Sequence, residues 1–170
     1  MATATARAHP NIAFIKYWGN RDNALKIPVN GSLSMNLDGL FTETSVTWHD
    51  SEGQDTLTLN GSEADEATLA RVQRHMTMLR ERLGVKGYGA VVSANNFPMG
   101  VGIASSAASF AALTVAAVRA MGVTLEEREL TRLARIGSGS ASRSVPTGFV
   151  EWQAGDDHAS SYAYSFAEPS

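Results

Sequence analysis

The 170-residue chain contains no cysteine, which excludes disulfides, thiolate metal sites and a cysteine nucleophile. Charge is sparse as well: 18% of residues are charged, and 14 Lys+Arg against 17 Asp+Glu leave a formal net charge of -3. No global positive field is present to hold a nucleic-acid backbone, so any anion must be gripped by local groups. The four histidines, His9, His49, His75 and His158, lack the close spacing of helical zinc ligands. Any metal bound here is therefore expected to be Mg2+ on oxygen ligands. The N-terminal residues lack the apolar core of a secretion signal, which makes the cytoplasm the expected location. Long uncharged apolar runs are missing too. The longest apolar stretch, residues 103–121, is Ala-rich, opens on Ser105 and Ser106 and contains Arg119, and it predicts a buried helix rather than a membrane span.

What is present is ample apolar content. At 44% hydrophobic residues, a chain of this length can bury a sizeable core as a single domain over residues 1–170. Short alternating runs predict strands at residues 12–17, 32–37, 42–49, 56–59 and 88–94, with final strands at 149–153 and 161–166. Asn30-Gly31 and Asn60-Gly61 are turn signals. Between them and the next strand the period changes. Leu69, Val72, Met76, Leu79 and Leu83 form one stripe of a helix that starts at Asp65 and ends near Gly84. Thr124-Leu-Glu-Glu127 has the form of a capping box and predicts a helix running to about Arg135, stopped by Gly137. Strands out of strict alternation with helices predict an α+β layer, not a doubly wound sheet.

Three segments can carry chemistry. Pro98-Met-Gly100-Val-Gly102-Ile-Ala104-Ser105-Ser106 joins a strand to the Ala-rich helix, where glycines and the helix N-terminus suit a phosphate. Ser106 can place its hydroxyl on a phosphate or on Mg2+; the plainer reading is a serine-capped helix start. No Gly-Lys-Ser/Thr closes the loop, so it is not a Walker A site. The second segment, Gly137-Ser138-Gly139-Ser140-Ala-Ser142-Arg143-Ser144, gathers hydroxyls around one guanidinium able to grip a carboxylate or phosphate. It also reads as a helix end followed by a flexible loop. It contains no Gly-x-Ser-x-Gly elbow. The third, Lys16-Tyr17-Trp18-Gly19-Asn20-Arg21, puts a lysine and a tyrosine at a strand end, where they can meet an anion or be a solvated charge beside a core aromatic.

Together with Asn11-Ile-Ala-Phe-Ile15, Pro28-Val-Asn-Gly-Ser-Leu-Ser34 and Gly148-Phe-Val-Glu-Trp-Gln153, these segments resemble the mevalonate diphosphate decarboxylase family of the GHMP kinase superfamily. The resemblance covers nearly the whole chain. It implies an N-terminal ATP- and substrate-binding domain over residues 1–170, with a fold like ribosomal protein S5 domain 2. A ferredoxin-like C-terminal domain would be mostly absent from this chain. The implied reaction is ATP-dependent phosphorylation of the 3-hydroxyl of a 5-phosphorylated mevalonate, followed by loss of phosphate and CO2. ATP and Mg2+ are the implied cofactors and a homodimer the implied assembly. Lys16 and Arg143 match two members of the family's catalytic constellation, with Arg143 on the substrate carboxylate. Its Asp is expected outside this chain.

By the same resemblance, Tyr17, Trp18, Gly19, Asn20, Arg71, Ser138, Gly139, Ser140 and Arg143 would bind substrate. Gly100, Gly102, Ala104, Ser105 and Ser106 would bind ATP, with Ser106 as the Mg2+ contact. Two positions depart from the family pattern. Met99-Gly100-Val101 replaces the commoner Thr-Ala-Ala, and Asn20 stands where a lysine is common. Losing one charge-assisted hydrogen bond, worth about 1.5–3 kcal/mol, weakens a diphosphate roughly tenfold to a hundredfold. On that ground the sequence leans to phosphomevalonate, giving isopentenyl phosphate, over diphosphomevalonate, giving isopentenyl diphosphate. Arg21 is a candidate replacement for the lost charge. The same motifs are also compatible with a kinase that does not decarboxylate, and with a non-enzymatic binding domain.

Overall fold

The computed structural model describes residues 1–98 and 105–167. Its elements in chain order are β1 (Ala2–Ala8), β2 (Asn11–Ile15), β3 (Asn20–Asp22), β4 (Ile27–Pro28), β5 (Ser32–Asn36), β6 (Thr42–His49), β7 (Thr56–Leu59) and β8 (Ser62–Glu63). They continue with α1 (Glu66–Leu83), β9 (Tyr88–Asn95), α2 (Ser105–Ala120), α3 (Glu127–Gly137), a 3-10 helix (Gly139–Ser144), β10 (Phe149–Trp152) and β11 (Ala163–Ala167). Strands outnumber helices and are not in strict alternation with them, the mixed α+β arrangement expected. Gly100, Gly102 and Ala104, with Met99 and Val101, lie outside the described residues.

One sheet has the order β1-β6-β9-β7-β8, antiparallel except where β7 runs parallel to β9. Its inner face follows from period-two patterning: Thr42, Thr44, Val46 and Trp48 of β6 are buried, as are Ala6 and Ala8 of β1. The outer face of the β1–β6 pair is zipped by hydroxyls, Thr3 to Thr47 at 3.0 Å and Thr5 to Ser45 at 2.7 Å, and by the Arg7–Glu43 ion pair at 2.8 Å. The expected Asn60-Gly61 turn joins β7 to β8, with both residues at positive φ (51° and 81°). Against the inner face packs α2. Its seven alanines let the helix approach the strands closely and leave it buried nearly all round. Among the described residues no helix is long and apolar enough to cross a membrane.

Helix α1 realises the stripe read from the sequence, with Val72, Met76 and Leu79 buried and His75 among them. Asp65 caps it by accepting from the Thr68 amide at 2.8 Å, and Gly84 closes it at φ 66°. The start of α3 differs from expectation. The helix begins at Glu127, its N-cap Glu126 makes no side-chain capping bond, and the Thr124 capping box does not form. Val123 and Leu125 explain this: both pack against the main core, and an extended backbone is what turns them inward.

The second sheet, β11-β10-β5-β2, is fully antiparallel. Val150, Trp152 and Ala163 form its buried face, while Phe14, Phe149, Phe166, Ile12 and Ile15 are exposed on the chain's surface. β2 ends at Ile15, two residues short of the expected strand end, so Lys16 and Tyr17 start a loop rather than finish a strand. A β3–β4 hairpin follows that loop. The 3-10 helix sits where α2, α3 and both ends of the second sheet converge.

Candidate active site

Arg143 is the centre of this convergence. Carried by the 3-10 helix, it is 3% exposed, and among the described residues it has no carboxylate partner. Neutral groups hold it instead. Asn11 Oδ1 accepts from Nε at 3.3 Å and from Nη2 at 3.2 Å, and Ser32 Oγ accepts from Nη1 at 2.6 Å. The other half of the Asn11 amide donates to the Ser140 carbonyl at 3.1 Å and to Ser144 Oγ at 2.7 Å. One side chain thus spends its whole hydrogen-bonding capacity on fixing the guanidinium and its helix. Burial pushes the Arg143 pKa down to about 10, with nearby Tyr17 acting in the opposite sense, so the group stays cationic at neutral pH. A buried cation solvated only by dipoles is costly in isolation and favours an anionic ligand.

Beside it lies a row of hydroxyls. Ser106, on the first turn of α2, faces Ser138 at 3.4 Å, and Ser138 faces Ser140 at 3.5 Å. These long contacts leave the hydroxyls free to turn toward a phosphate oxygen. Tyr17 packs edge-on against Trp152, ring centroids 4.8 Å apart. Its hydroxyl reaches Gly139 so closely that a Cβ there would stand 2.8 Å from it. Gly139 is therefore a close-approach residue, and it brings the Tyr17 loop and the serine row together. Asn30, read as a turn residue, serves instead as a clamp: its side chain accepts from the Trp18 amide at 3.1 Å and donates to the Lys16 carbonyl at 3.0 Å.

The remaining sequence candidates divide. Lys16 is exposed and unpaired among the described residues, and Trp18 is 80% exposed and makes no side-chain contact to the row. Gly19 takes φ 112°, a conformation that other residues rarely adopt. Asn20 turns its amide to Asn23 at 3.4 Å and leaves its own oxygen buried without a partner. Arg21, the candidate replacement for a lysine at that position, is committed to an exposed ion pair with Asp156. Arg71 comes from α1, its guanidinium over the Phe110 ring at 5.2 Å. With Thr44, Ser93, Ser105, Ser106 and Ser109 it lines a cavity of about 130 Å³ between α1, α2 and the first sheet.

Sequence reasoning missed the partners that make Arg143 usable. Asn11 and Ser32 fell inside recognised motifs, yet nothing local to them says which cation they serve. It also missed Arg135, which is wholly buried and donates to the Leu25 carbonyl at 2.9 Å and to the Ser161 carbonyl, with His158 Nδ1 at 2.9 Å. Burial pushes Arg135 down to about 10 and, with Arg82 and Arg135 beside it, His158 down to about 4. This cluster braces the β3–β4 hairpin against α3.

Known proteins resemble this chain in sequence and in fold. A diphosphomevalonate decarboxylase of Rattus norvegicus is 43% identical over 173 residues, covering 92% of this chain and 41% of the relative. The corresponding Saccharomyces cerevisiae protein is 39% identical, covering 99% of this chain and 46% of its own. The chain thus spans somewhat less than half the length of the curated relatives it matches. Among solved structures, mevalonate diphosphate decarboxylase from Staphylococcus aureus superposes with a TM-score of 0.92 at 45% identity, covering 96% of this chain and 49% of that one. That from Enterococcus faecalis, described for its mevalonate diphosphate mediated ATP binding, also gives 0.92, at 39% identity, covering 98% and 52%. The family described as diphosphomevalonate decarboxylase-like N-terminal domain matches residues 8–163, which include Asn11, Tyr17, Arg143 and Trp152, and the chain belongs to that family.

Proposed function

We propose that the protein carrying this chain uses ATP to phosphorylate the 3-hydroxyl of 5-diphosphomevalonate and then releases phosphate and CO2, giving isopentenyl diphosphate. The observation that carries this reading is the buried Arg143 guanidinium, held by Asn11 and Ser32 without a carboxylate, at one end of a hydroxyl row that reaches α2. Arg143 takes the substrate carboxylate bidentately, which fixes the C1–C2 bond. Once phosphate has made the tertiary oxygen a good leaving group, that bond breaks, its electrons form the C2–C3 double bond, and the C3–O bond departs with phosphate. Lys16, without an ion pair among the described residues, offsets charge developing on the transferring group. Tyr17, Ser138 and Ser140 receive the 5-phosphoryl oxygens; Gly139 lets Tyr17 approach them.

ATP fits the α2 end of the site. Ser105 and Ser106 stand at a helix N-terminus that favours anions, next to the cavity shared by α1, α2 and the first sheet. Ser106 is the protein oxygen offered to Mg2+. Among the described residues no group of three acidic or histidine side chains could hold a metal, and an ion carried mainly by phosphates and water suits such a donor-poor site. A solved structural relative, 39% identical, is described as MDDEF in complex with MVAPP, AMPPCP and magnesium.

The lean toward a monophosphate drawn from Asn20 is reversed. The relatives are diphosphomevalonate decarboxylases, and one missing lysine does not set the charge of a whole subsite. The test is turnover of the full-length protein with ATP and either substrate, following ADP and CO2 together. CO2 release with the diphosphate at least tenfold more efficient than with the monophosphate is expected. ADP without CO2 would leave a kinase, and preference for the monophosphate would restore the Asn20 argument.

A further inference from the structure

Gly137, the chain neighbour of Ser138 in the hydroxyl row, lines a second cleft of about 440 Å³ together with Asn23, Lys26, Arg71, Arg74 and His75. It holds three cations and no carboxylate. None of Lys26, Arg71 and Arg74 has an ion-pair partner among the described residues; Arg71 contacts only the Phe110 ring, and Lys26 and Arg74 make no hydrogen bond. Three unpaired positive groups converging on a concave surface repel one another, and an anion with several oxygens relieves that repulsion.

The cleft is built rather than incidental. Arg71 and Arg74 lie three residues apart on α1 and so share a helix face. Lys26 comes from the opposite side, at the turn of the β3–β4 hairpin, with φ 50°, a conformation that few lysines adopt. That turn is pinned twice: Asp22 Oδ1 accepts from the Leu25 amide at 2.8 Å, and the wholly buried Arg135 donates to the Leu25 carbonyl at 2.9 Å. Asn20, on the strand before the turn, points its amide at Asn23 on the rim of the same cleft.

Resting on the diphosphate reading above, we propose that Lys26 and Arg74, with Arg71, hold the terminal phosphate of the 5-diphosphoryl group and so supply the positive charge that Asn20 does not. Tyr17, Ser138 and Ser140 take the phosphate nearer the carbon chain, and the next phosphate reaches past Gly137 into the cationic cleft. The terminal phosphate brings about one more negative charge and three strong acceptor oxygens, which match three cationic donors. Specificity for a diphosphate over a monophosphate then resides in α1 and the hairpin turn, away from the Lys16-to-Asn20 loop.

The experiment measures binding of 5-diphosphomevalonate and of 5-phosphomevalonate to the full-length protein by calorimetry, for wild type, Lys26→Ala/Arg74→Ala, and the same double variant with Asn20→Lys added. The double variant should lose about tenfold to a hundredfold in affinity for the diphosphate and less than threefold for the monophosphate. Asn20→Lys should restore at least part of the loss, a rescue that a merely structural defect would not allow. Equal weakening of both ligands, no weakening of the diphosphate, or no rescue by Asn20→Lys overturns the assignment. If wild type prefers the monophosphate, the functional reading falls and this proposal falls with it. If wild type prefers the diphosphate and the double variant keeps that preference, only the cleft assignment is lost.

Discussion

Replacing Asn11 by aspartate is the sharpest probe of the site, because it changes charge while keeping shape. The side chain sits 3.2–3.3 Å from Arg143 Nη2 and Nε, so a carboxylate there becomes an internal ion-pair partner for the cation proposed to take the substrate carboxylate. The fold loses one donor to the Ser140 carbonyl, about 1 kcal/mol, while the Ser144 hydroxyl can rotate to donate to the new oxygen. An incoming carboxylate would meet a like charge about 4 Å away, costing about 4 kcal/mol at an effective dielectric of 20, or roughly a thousandfold in affinity. Asn11→Ala should behave oppositely. It removes all four hydrogen bonds, two of them charge-assisted, and should lower stability by about 3–5 kcal/mol. The assay is calorimetric titration of 5-diphosphomevalonate into the full-length variants, paired with Tm. An Asn11→Asp protein with wild-type Tm and substrate affinity within threefold of wild type refutes the reasoning.

Gly139→Ala should push Tyr17 and Trp152 apart, since its Cβ would stand 2.8 Å from the tyrosine oxygen and 3.2 Å from the indole; KM for the phosphorylated substrate should rise about tenfold, and an unchanged KM counts against the Tyr17 assignment. Asp55 is buried, accepts from Arg80 at 2.9 Å through both oxygens and from the Gly89 amide at 2.8 Å, so Asp55→Ala should cost about 3–5 kcal/mol in urea unfolding; a loss under 1 kcal/mol is the contrary result. Burial pushes the His75 pKa down from 6.5 to about 3, so its neutral form belongs to the fold: its contribution is intact above pH 6.5 and is lost as pH falls toward 3. At pH 5 the loss is about 2 kcal/mol. His158, at about 4, acts in the same direction. His75→Leu should flatten the stability profile between pH 6.5 and 4, and an unchanged slope would remove His75 from the explanation.

How much of this was legible in the sequence depends on how local each signal was. The β6 and β7 strands and the caps of α1 were readable because alternation, Asp65 and Gly84 act within a few residues of themselves. β1 was not, since its inward residues are alanines and its outward ones threonines, which carry almost no hydropathy contrast. The Thr124 box failed because tertiary burial of Val123 and Leu125 outweighed a cap worth about 1 kcal/mol. Within the site, Tyr17, Ser106, Ser138 and Ser140 were named and are brought together, and Arg71, also named, shares a cavity with Ser106 and lines the neighbouring cleft. The cationic cleft was illegible because Lys26 and Arg74 are ordinary in their own segments. Only the cleft that the hairpin turn and α1 both line brings them together.

The Asn11 clamp also bears on the order in which the molecule can be completed. Its partners Arg143 and Ser144 are 132 and 133 positions along the chain, so the closure that fixes the Arg143 guanidinium is among the most distant in sequence. Such contacts repay their loop-closure entropy only after intervening structure has formed. During synthesis β1 and β6 can pair early, with Asn11 waiting at the start of β2 for a helix not yet made. On the function proposed above, a nascent chain would have no grip for a substrate carboxylate until the 3-10 helix has docked, and a ligand there would stabilise only the last stage of folding, not guide the first.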